Sequence, residues 1–333
     1  QENRGCPAQG RACGRNAPLP TSGPVPLSLP PAFRSSGDLL ADRRYDYAMA
    51  AKADGDPAAA ADLLVQALEI APRWAAGWFA LGEAEAAQGK ACAAVAAFQQ
   101  ALACDPQDAM GAGLMLALLG RMDPAAAMSA GYVRALYDDY APRFERSLRE
   151  GLSYRAPEIL FDLVAAARGG GGDFDRMLDL GCGTGLAGAV FAPKAKVIDG
   201  VDLSGRMVDI ARRKGVYRDL RVGDLLAFLG DQPPASADLV VAADVLIYIA
   251  ELAPVFTAAA RVLAPGGLLA FTVEAHEGEG STLHVSLRYA HGPDVVEQAI
   301  VASGLSRAAM YRAVLRTAAG GAGRAWAGVA PRA

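Results

Sequence analysis

Long hydrophobic runs are missing from this chain of 333 residues. The longest stretches, such as the one through Leu114 to Leu119, fall far short of the ~20 residues a membrane-spanning helix needs. A membrane-embedded protein is therefore not expected. A charge excess of one sign is also missing. Thirty-two basic and 36 acidic residues leave a net charge of -4, so no general grip on nucleic acid or an anionic membrane is expected. The five cysteines (Cys6, Cys13, Cys92, Cys104 and Cys182) form no C-x-x-C pair and are odd in number. Together with the lack of a secretory leader, this fits a reducing cytoplasm better than a disulfide framework. Zinc ligation is not expected either, because only three histidines (His276, His284 and His291) could join the cysteines. Aromatics make up only 7% of the chain, whereas alanine supplies 72 residues. The interior must be built mainly from small residues, as helix-rich chains allow.

Three zones follow one another. Residues 1–37 hold seven prolines, five glycines, four arginines and one acid. They are expected to be a disordered, dispensable tail, with targeting as the alternative. Residues 38–128 carry a helical pattern with a 34-residue echo: Gly55 and Gly89, Leu64 and Phe98, Ala67 and Ala101, Leu68 and Leu102, Pro72 and Pro106. Such a period marks paired helices that bury their faces by stacking on neighbours. Residues 129–333 form the third zone. Within it, 129–172 read as N-terminal helices and a linker. Tyr132, Leu136, Tyr140 and Phe144 suit one amphipathic helix, and four glycines, Gly169 to Gly172, mark a junction.

From Asp173 onward strands and helices alternate, which predicts an α/β domain with a parallel sheet. Apolar runs place strands at Arg176–Leu180, Lys196–Val201, Leu220–Val222, Asp238–Ala243 and Leu268–Val273. Helices fall between them, as at Gly205–Lys214 and Leu252–Leu263. Arg307–Thr317 and Arg324–Ala330 suit a closing antiparallel hairpin.

The chemical motif is Asp179-Leu180-Gly181-Cys182-Gly183-Thr184-Gly185, at the end of the first strand. Ligands bind at such strand ends in open α/β sheets. Side-chain-free Gly181, Gly183 and Gly185 let a ligand lie against the backbone. Asp202 ends the second strand, where a carboxylate can accept both hydroxyl protons of a ribose. Asp224 ends the third, with Leu225 beside it, and could accept a proton from an adenine amino group.

These residues, with Val201-Asp202-Leu203-Ser204, Gly223-Asp224, Ala243-Asp244-Val245 and Leu263-Ala264-Pro265-Gly266-Gly267, resemble the class I S-adenosylmethionine-dependent methyltransferases. Trp78, Leu81, Gly82, Ala94, Phe98, Ala101 and Pro106 resemble the tetratricopeptide repeat, although Glu85 stands where that family prefers an aromatic. The combination is similar to bacterial methyltransferases fused behind such repeats. The resemblance implies a Rossmann-like sheet of seven strands, the last antiparallel, preceded by an all-α repeat domain. It implies S-adenosylmethionine as cofactor. Its methionine part would lie on Asp179, Gly181, Cys182, Gly183 and Gly185, its ribose on Asp202 and Leu203, and its adenine by Met207, Asp224 and Leu225. Tyr140, in the Tyr137–Phe144 segment, would cover it. Cys182 is expected to be a small packing residue of the loop.

The expected reaction is methyl transfer to a small molecule or a protein, the repeats offering a surface for a protein partner. His291 is the candidate base, with Asp244 and Tyr248 facing the methyl group. Two alternatives stand beside it. One is a non-catalytic cofactor-binding protein. The other is a nicotinamide oxidoreductase, since Gly183-x-Gly185-x-x-Gly188 also satisfies a dinucleotide fingerprint.

Overall fold

The computed structural model describes residues 35–148, 154–169, 172–307, 309–318 and 321–332. Most of the expected tail, including any targeting signal, therefore lies outside the described residues, as do Gly170 and Gly171 of the glycine junction. No helix among the described residues is long and apolar enough to cross a membrane.

The chain begins with helices α1 (Leu39–Ala53), α2 (Pro57–Ile70), α3 (Ala75–Ala87), α4 (Ala91–Cys104) and α5 (Ala112–Leu118). Helices α2 and α4 start and stop 34 residues apart, which gives the sequence echo its physical form. Aspartates cap the first two helices: Asp38 accepts from the amides of Leu40 and Ala41, and Asp56 from that of Ala59. Gly82 matters because α3 and α4 touch there. A Cβ at that position would stand 2.6 Å from the Phe98 ring.

Helix α6 (Ala130–Tyr140) follows, capped by Ser129. The single amphipathic helix expected through Phe144 is instead broken. A 3-10 turn occupies Ala141–Arg143 and α7 resumes at Phe144–Ser147. Pro142 explains the break, because it has no amide to donate and its ring crowds the preceding turn. Helix α8 (Ala156–Ala167) then leads to the sheet.

The sheet has nine strands, not seven: β1 (Met177–Leu180), β2 (Ile198–Asp202), β3 (Asp219–Val222), β4 (Ala237–Ala242), β5 (Leu263–Ala275), β6 (Ser281–Leu283), β7 (Tyr289–His291), β8 (Ala309–Ala318) and β9 (Gly321–Pro331). Strands β3-β2-β1-β4-β5 lie side by side and parallel. Strand β9 runs antiparallel between β5 and β8. Those seven match the expected pattern. The other two form a short hairpin, and β7 pairs with Glu274 and Ala275 at the far end of β5. Glu274 pairs with β9 on its other edge. The hairpin therefore sits on the β4 edge of β5, beyond the last β4 residue, over the carboxyl ends of the parallel strands.

Both faces of the sheet are covered, as a parallel sheet requires. On one face Leu239, Val241 and Ala270 pack with Leu160 and Val164 of α8 and with Phe191 of α9 (Leu186–Phe191). On the other, Val240, Ala242 and Phe271 pack under α11 (Leu225–Asp231), α12 (Leu252–Val262) and α13 (Pro293–Ala302). The alternation along β4 is the period-two signature of a strand with two dry faces. Helix α10 (Gly205–Arg212) covers β2 and β3 and meets α6.

Candidate functional site

At the carboxyl ends of the parallel strands lies a cavity of about 380 Å3. The loop from β1 to α9 forms its floor. Gly181, Gly183 and Gly185 take φ of 63°, 53° and 85°, values in the left-handed region that favours glycine. At Gly181 a side chain is excluded twice, since a Cβ would also stand 2.4 Å from Val245 Cγ2. Gly181 and Gly183 line the cavity with Cys182 and Thr184. The Thr184 hydroxyl is buried and has no hydrogen-bond partner among the described residues.

Three carboxylates approach this floor. Asp179, in β1, is 1% exposed. The Tyr217 hydroxyl donates to its Oδ2 at 2.6 Å. Burial pushes its pKa up to about 7, against the lowering effect of that bond, and nearby Asp202 adds to the rise. Asp202, at the end of β2, accepts from the Gly183 amide at 2.9 Å and from the Ser204 amide at 2.8 Å. It thus ties the second strand end to the glycine loop, and burial raises its pKa as well. Asp224, after β3, is more open. Its Oδ1 accepts from the amides of Leu226 and Ala227 and caps α11.

The roof comes from α6 to α8. Tyr137, Tyr140, Phe144, Leu148, Tyr154 and Pro157 all face the cavity. The Phe144 ring meets Tyr140 and Tyr137 edge-on at 5.3 and 6.1 Å. This roof is bonded to the sheet side. Ser204 Oγ donates to Asp138 Oδ1 at 2.6 Å, Arg206 to the Asp138 carbonyl at 3.1 Å, and Lys214 pairs with Glu145 at 2.7 Å.

The far wall carries Asp244, Tyr248 and Arg288. Asp244 takes φ 57°, a strained setting for a non-glycine residue. Its amide donates to Thr272 Oγ1 at 2.8 Å. The hydroxyls of Tyr248 and Tyr137 lie 3.0 Å apart, which joins wall to roof.

Of the residues singled out from sequence, Asp179, Gly181, Cys182, Gly183, Asp202, Leu203, Asp224, Leu225, Tyr140, Asp244 and Tyr248 converge on the cavity. Three do not line it. Gly185 begins α9. Met207 is fully buried in α10. His291 is neither at the cavity nor at the surface. It lies in β7 with no exposure, and its Nδ1 is 2.8 Å from Ser281 Oγ. Burial pushes its pKa down to about 4. The reason is the unforeseen hairpin, which folds the histidine inward, behind the turn at Leu246–Tyr248. Thr184, Tyr217 and Arg288 were missed. Thr184 stands inside the quoted glycine motif, which was the available signal. Nothing local marks Tyr217 or Arg288.

Known proteins resemble part of this chain. The methyltransferase domain family matches residues 178–271. A ubiquinone biosynthesis O-methyltransferase of Paracidovorax citrulli is 30% identical over 105 residues, covering 29% of this chain and 42% of that protein. Methyltransferase-like protein 27 of Homo sapiens is 35% identical over 103 residues, covering 31% and 40%. Among solved structures, the Burkholderia thailandensis 1,6-didemethyltoxoflavin-N1-methyltransferase is 16% identical with a TM-score of 0.47, covering 60% of this chain and 88% of that one. The chain spans about two fifths of the length of the curated relatives it matches. The stretch that matches the methyltransferase domain family, residues 178–271, holds the glycine loop and the three strand-end acids.

Proposed function

We propose that the chain transfers the methyl group of S-adenosylmethionine to a small organic acceptor enclosed between the sheet and the α6–α8 roof. The observation that carries this reading is the convergence, in one roofed cavity, of an open glycine loop and acidic side chains from three successive strand ends. The residues fit the cofactor. The loop leaves open backbone at Gly183 on the cavity floor, Thr184 beside it keeps a hydroxyl with no partner among the described residues, and buried carboxylates suit a ligand bearing cationic groups. When bound, the cofactor supplies an electrophilic methyl group on a sulfonium.

The chain's own residues bind and orient. Asp179 and the loop from Gly181 to Gly185 hold the methionine part. Asp202 takes the ribose hydroxyls, and Asp224, whose Oδ1 already caps α11, offers Oδ2 to the adenine amino group. Tyr137, Tyr140 and Phe144 exclude water, and their ring faces stabilise positive charge. Holding two reactants in register supplies much of the rate gain in such transfers. Asp244 and Tyr248 stand at the acceptor end, and His291, buried behind the wall, takes no part. An acceptor of modest size is supported by the apolar lining from Met128, Val133, Leu148 and Ile249. Helices α1–α5 are two and a half tetratricopeptide repeats in this reading, which the 34-residue offset of α2 and α4 supports.

Thermal denaturation tests the assignment. S-adenosylhomocysteine at a hundredfold excess over its Kd should stabilise the protein by ~2.7 kcal/mol. Stabilisation by NADH instead would overturn the reading.

A further inference from the structure

Arg288 is a cation built into the cavity wall, with no counter-ion within 4.0 Å among the described residues. It stands between β6 and β7, where Leu287 takes φ 58° and the His284 amide donates to the Arg288 carbonyl at 2.9 Å. This turn hangs over the carboxyl ends of β4 and β5. The side chain is only 5% exposed and faces the cavity. Among the described residues, its guanidinium forms no hydrogen bond and no ion pair within 4.0 Å. Burial works against its charge. Tyr248, Tyr137, Asp244 and Glu274 act on it electrostatically from around the wall and hold its pKa up. The guanidinium thus presents donors to the cavity that no protein group among the described residues takes up, and a ligand can meet them.

We propose that Arg288 receives the carboxylate of the methyl acceptor, so that the acceptor is an organic acid with an apolar body. This rests on the cavity being a methyl-transfer site. The planar fork of arginine matches a carboxylate with two parallel hydrogen bonds. Charge balance selects a single negative charge. Arg288 is the one cation among the described lining residues, and Asp179, Asp202, Asp224 and Asp244 share the same cavity. A phosphate dianion would meet more repulsion than attraction there. The rest of this end, from Met128, Val133, Tyr137 and Tyr248, offers an apolar and aromatic surface to the acid's body. The acid's nucleophilic atom then lies away from Arg288, toward the glycine loop.

Calorimetry on the full chain saturated with S-adenosylhomocysteine tests this. The ligands are three matched pairs: benzoate and benzamide, cinnamate and cinnamamide, octanoate and octanamide. At least one acid should bind about tenfold or more tighter than its amide, the worth of a charge-assisted bidentate contact. In R288M that preference should fall to within about twofold, and R288K should keep part of it. Affinity for S-adenosylhomocysteine should stay within about threefold in both variants. Equal binding of acid and amide in all three pairs would overturn the proposal, as would a preference that survives R288M. A larger loss of S-adenosylhomocysteine affinity in R288M would reassign Arg288 to the cofactor's own carboxylate. Failure of the wild type to bind S-adenosylhomocysteine would remove the methyl-transfer reading and this one with it. Cofactor binding without acid preference removes this one alone.

Discussion

Asp179 should make cofactor binding depend on pH near neutrality. Its carboxyl is enclosed in β1, bonded to Tyr217 and raised to about 7 mainly by burial. A cofactor with an ammonium and a sulfonium favours the ionised form. At pH 8 about nine tenths of Asp179 is ionised and at pH 6 about one tenth, so affinity should fall about tenfold between them, or ~1.4 kcal/mol. The same residue affects stability without ligand. Its folded pKa lies above the ordinary value of 3.8. Its contribution is therefore present in acid and lost as pH rises from about 4 through about 7, by about 4 kcal/mol in all. Cofactor binding should offset that loss, giving a larger rise in Tm at pH 8 than at pH 6. Asp179→Asn keeps an acceptor for Tyr217 but cannot ionise, so its affinity should be lower and its pH profile should lack this step. Titration calorimetry from pH 5.5 to 8 on both proteins measures the difference, and the ligand's own amino group titrates equally in each. A flat wild-type profile, or the same slope in Asp179→Asn, would refute the reasoning.

Asp202→Ala removes the acceptor of the Gly183 and Ser204 amides together with the ribose contact. Cofactor affinity should fall by ~1.5–3 kcal/mol, with a modest drop in Tm, and unchanged affinity by calorimetry would exclude the ribose role. His291, fully enclosed in β7, stays neutral to about pH 4. Because its folded pKa lies below its ordinary value of 6.5, its contribution is intact above about 6.5 and lost as pH falls toward 4, by about 3 kcal/mol. Urea unfolding of His291→Gln across pH 4–7 should show a shallower acid limb than the wild type, with cofactor affinity at pH 7.5 unaltered. An identical acid limb would mean that His291 does not control acid sensitivity.

The readable parts of the sequence were those whose physics is local. Strands β1, β2, β4 and β5 are apolar runs because both their faces are dry. Glycines in the left-handed region and acids at strand ends occupy short, fixed offsets, so the cavity floor could be listed residue by residue. The 34-residue echo likewise survives because each helix pair repeats the same contacts. The hairpin is different. Strands β6 and β7 have three residues each, too few for a period to show. Its place past the end of β4 is a property of the assembled sheet. His291 looks like a turn residue in sequence and is enclosed by that assembly. Arg288 is one of 27 arginines, and only tertiary structure separates it from those in solvent. Tyr217 reaches Asp179 across 38 positions. The break at Pro142, by contrast, was legible and outweighed by the aromatic spacing.

The same tertiary contacts decide what the helical region does for the site. Asp108, at φ 49°, accepts from the amides of Ala112 and Gly113 at 2.6 and 2.8 Å, and its carbonyl accepts from Ser129 Oγ at 3.0 Å. Ser129 in turn caps α6, the first helix of the roof. Gly131 packs so closely that a Cβ there would stand 2.0 Å from the Gln107 carbonyl oxygen. From the other side, Tyr289 of the hairpin donates to the Pro124 carbonyl. Leu114, Tyr132, Leu136, Ile247 and Tyr248 then form one apolar cluster that spans α5, the roof and the wall. The roof therefore has no position of its own. Its entry angle is set by α5, its height by the hairpin, and its aromatic face by Tyr248. Helices α1–α5 thus bear on the cavity through the roof and the Tyr248 wall, while the glycine loop is tied to the sheet through Asp202.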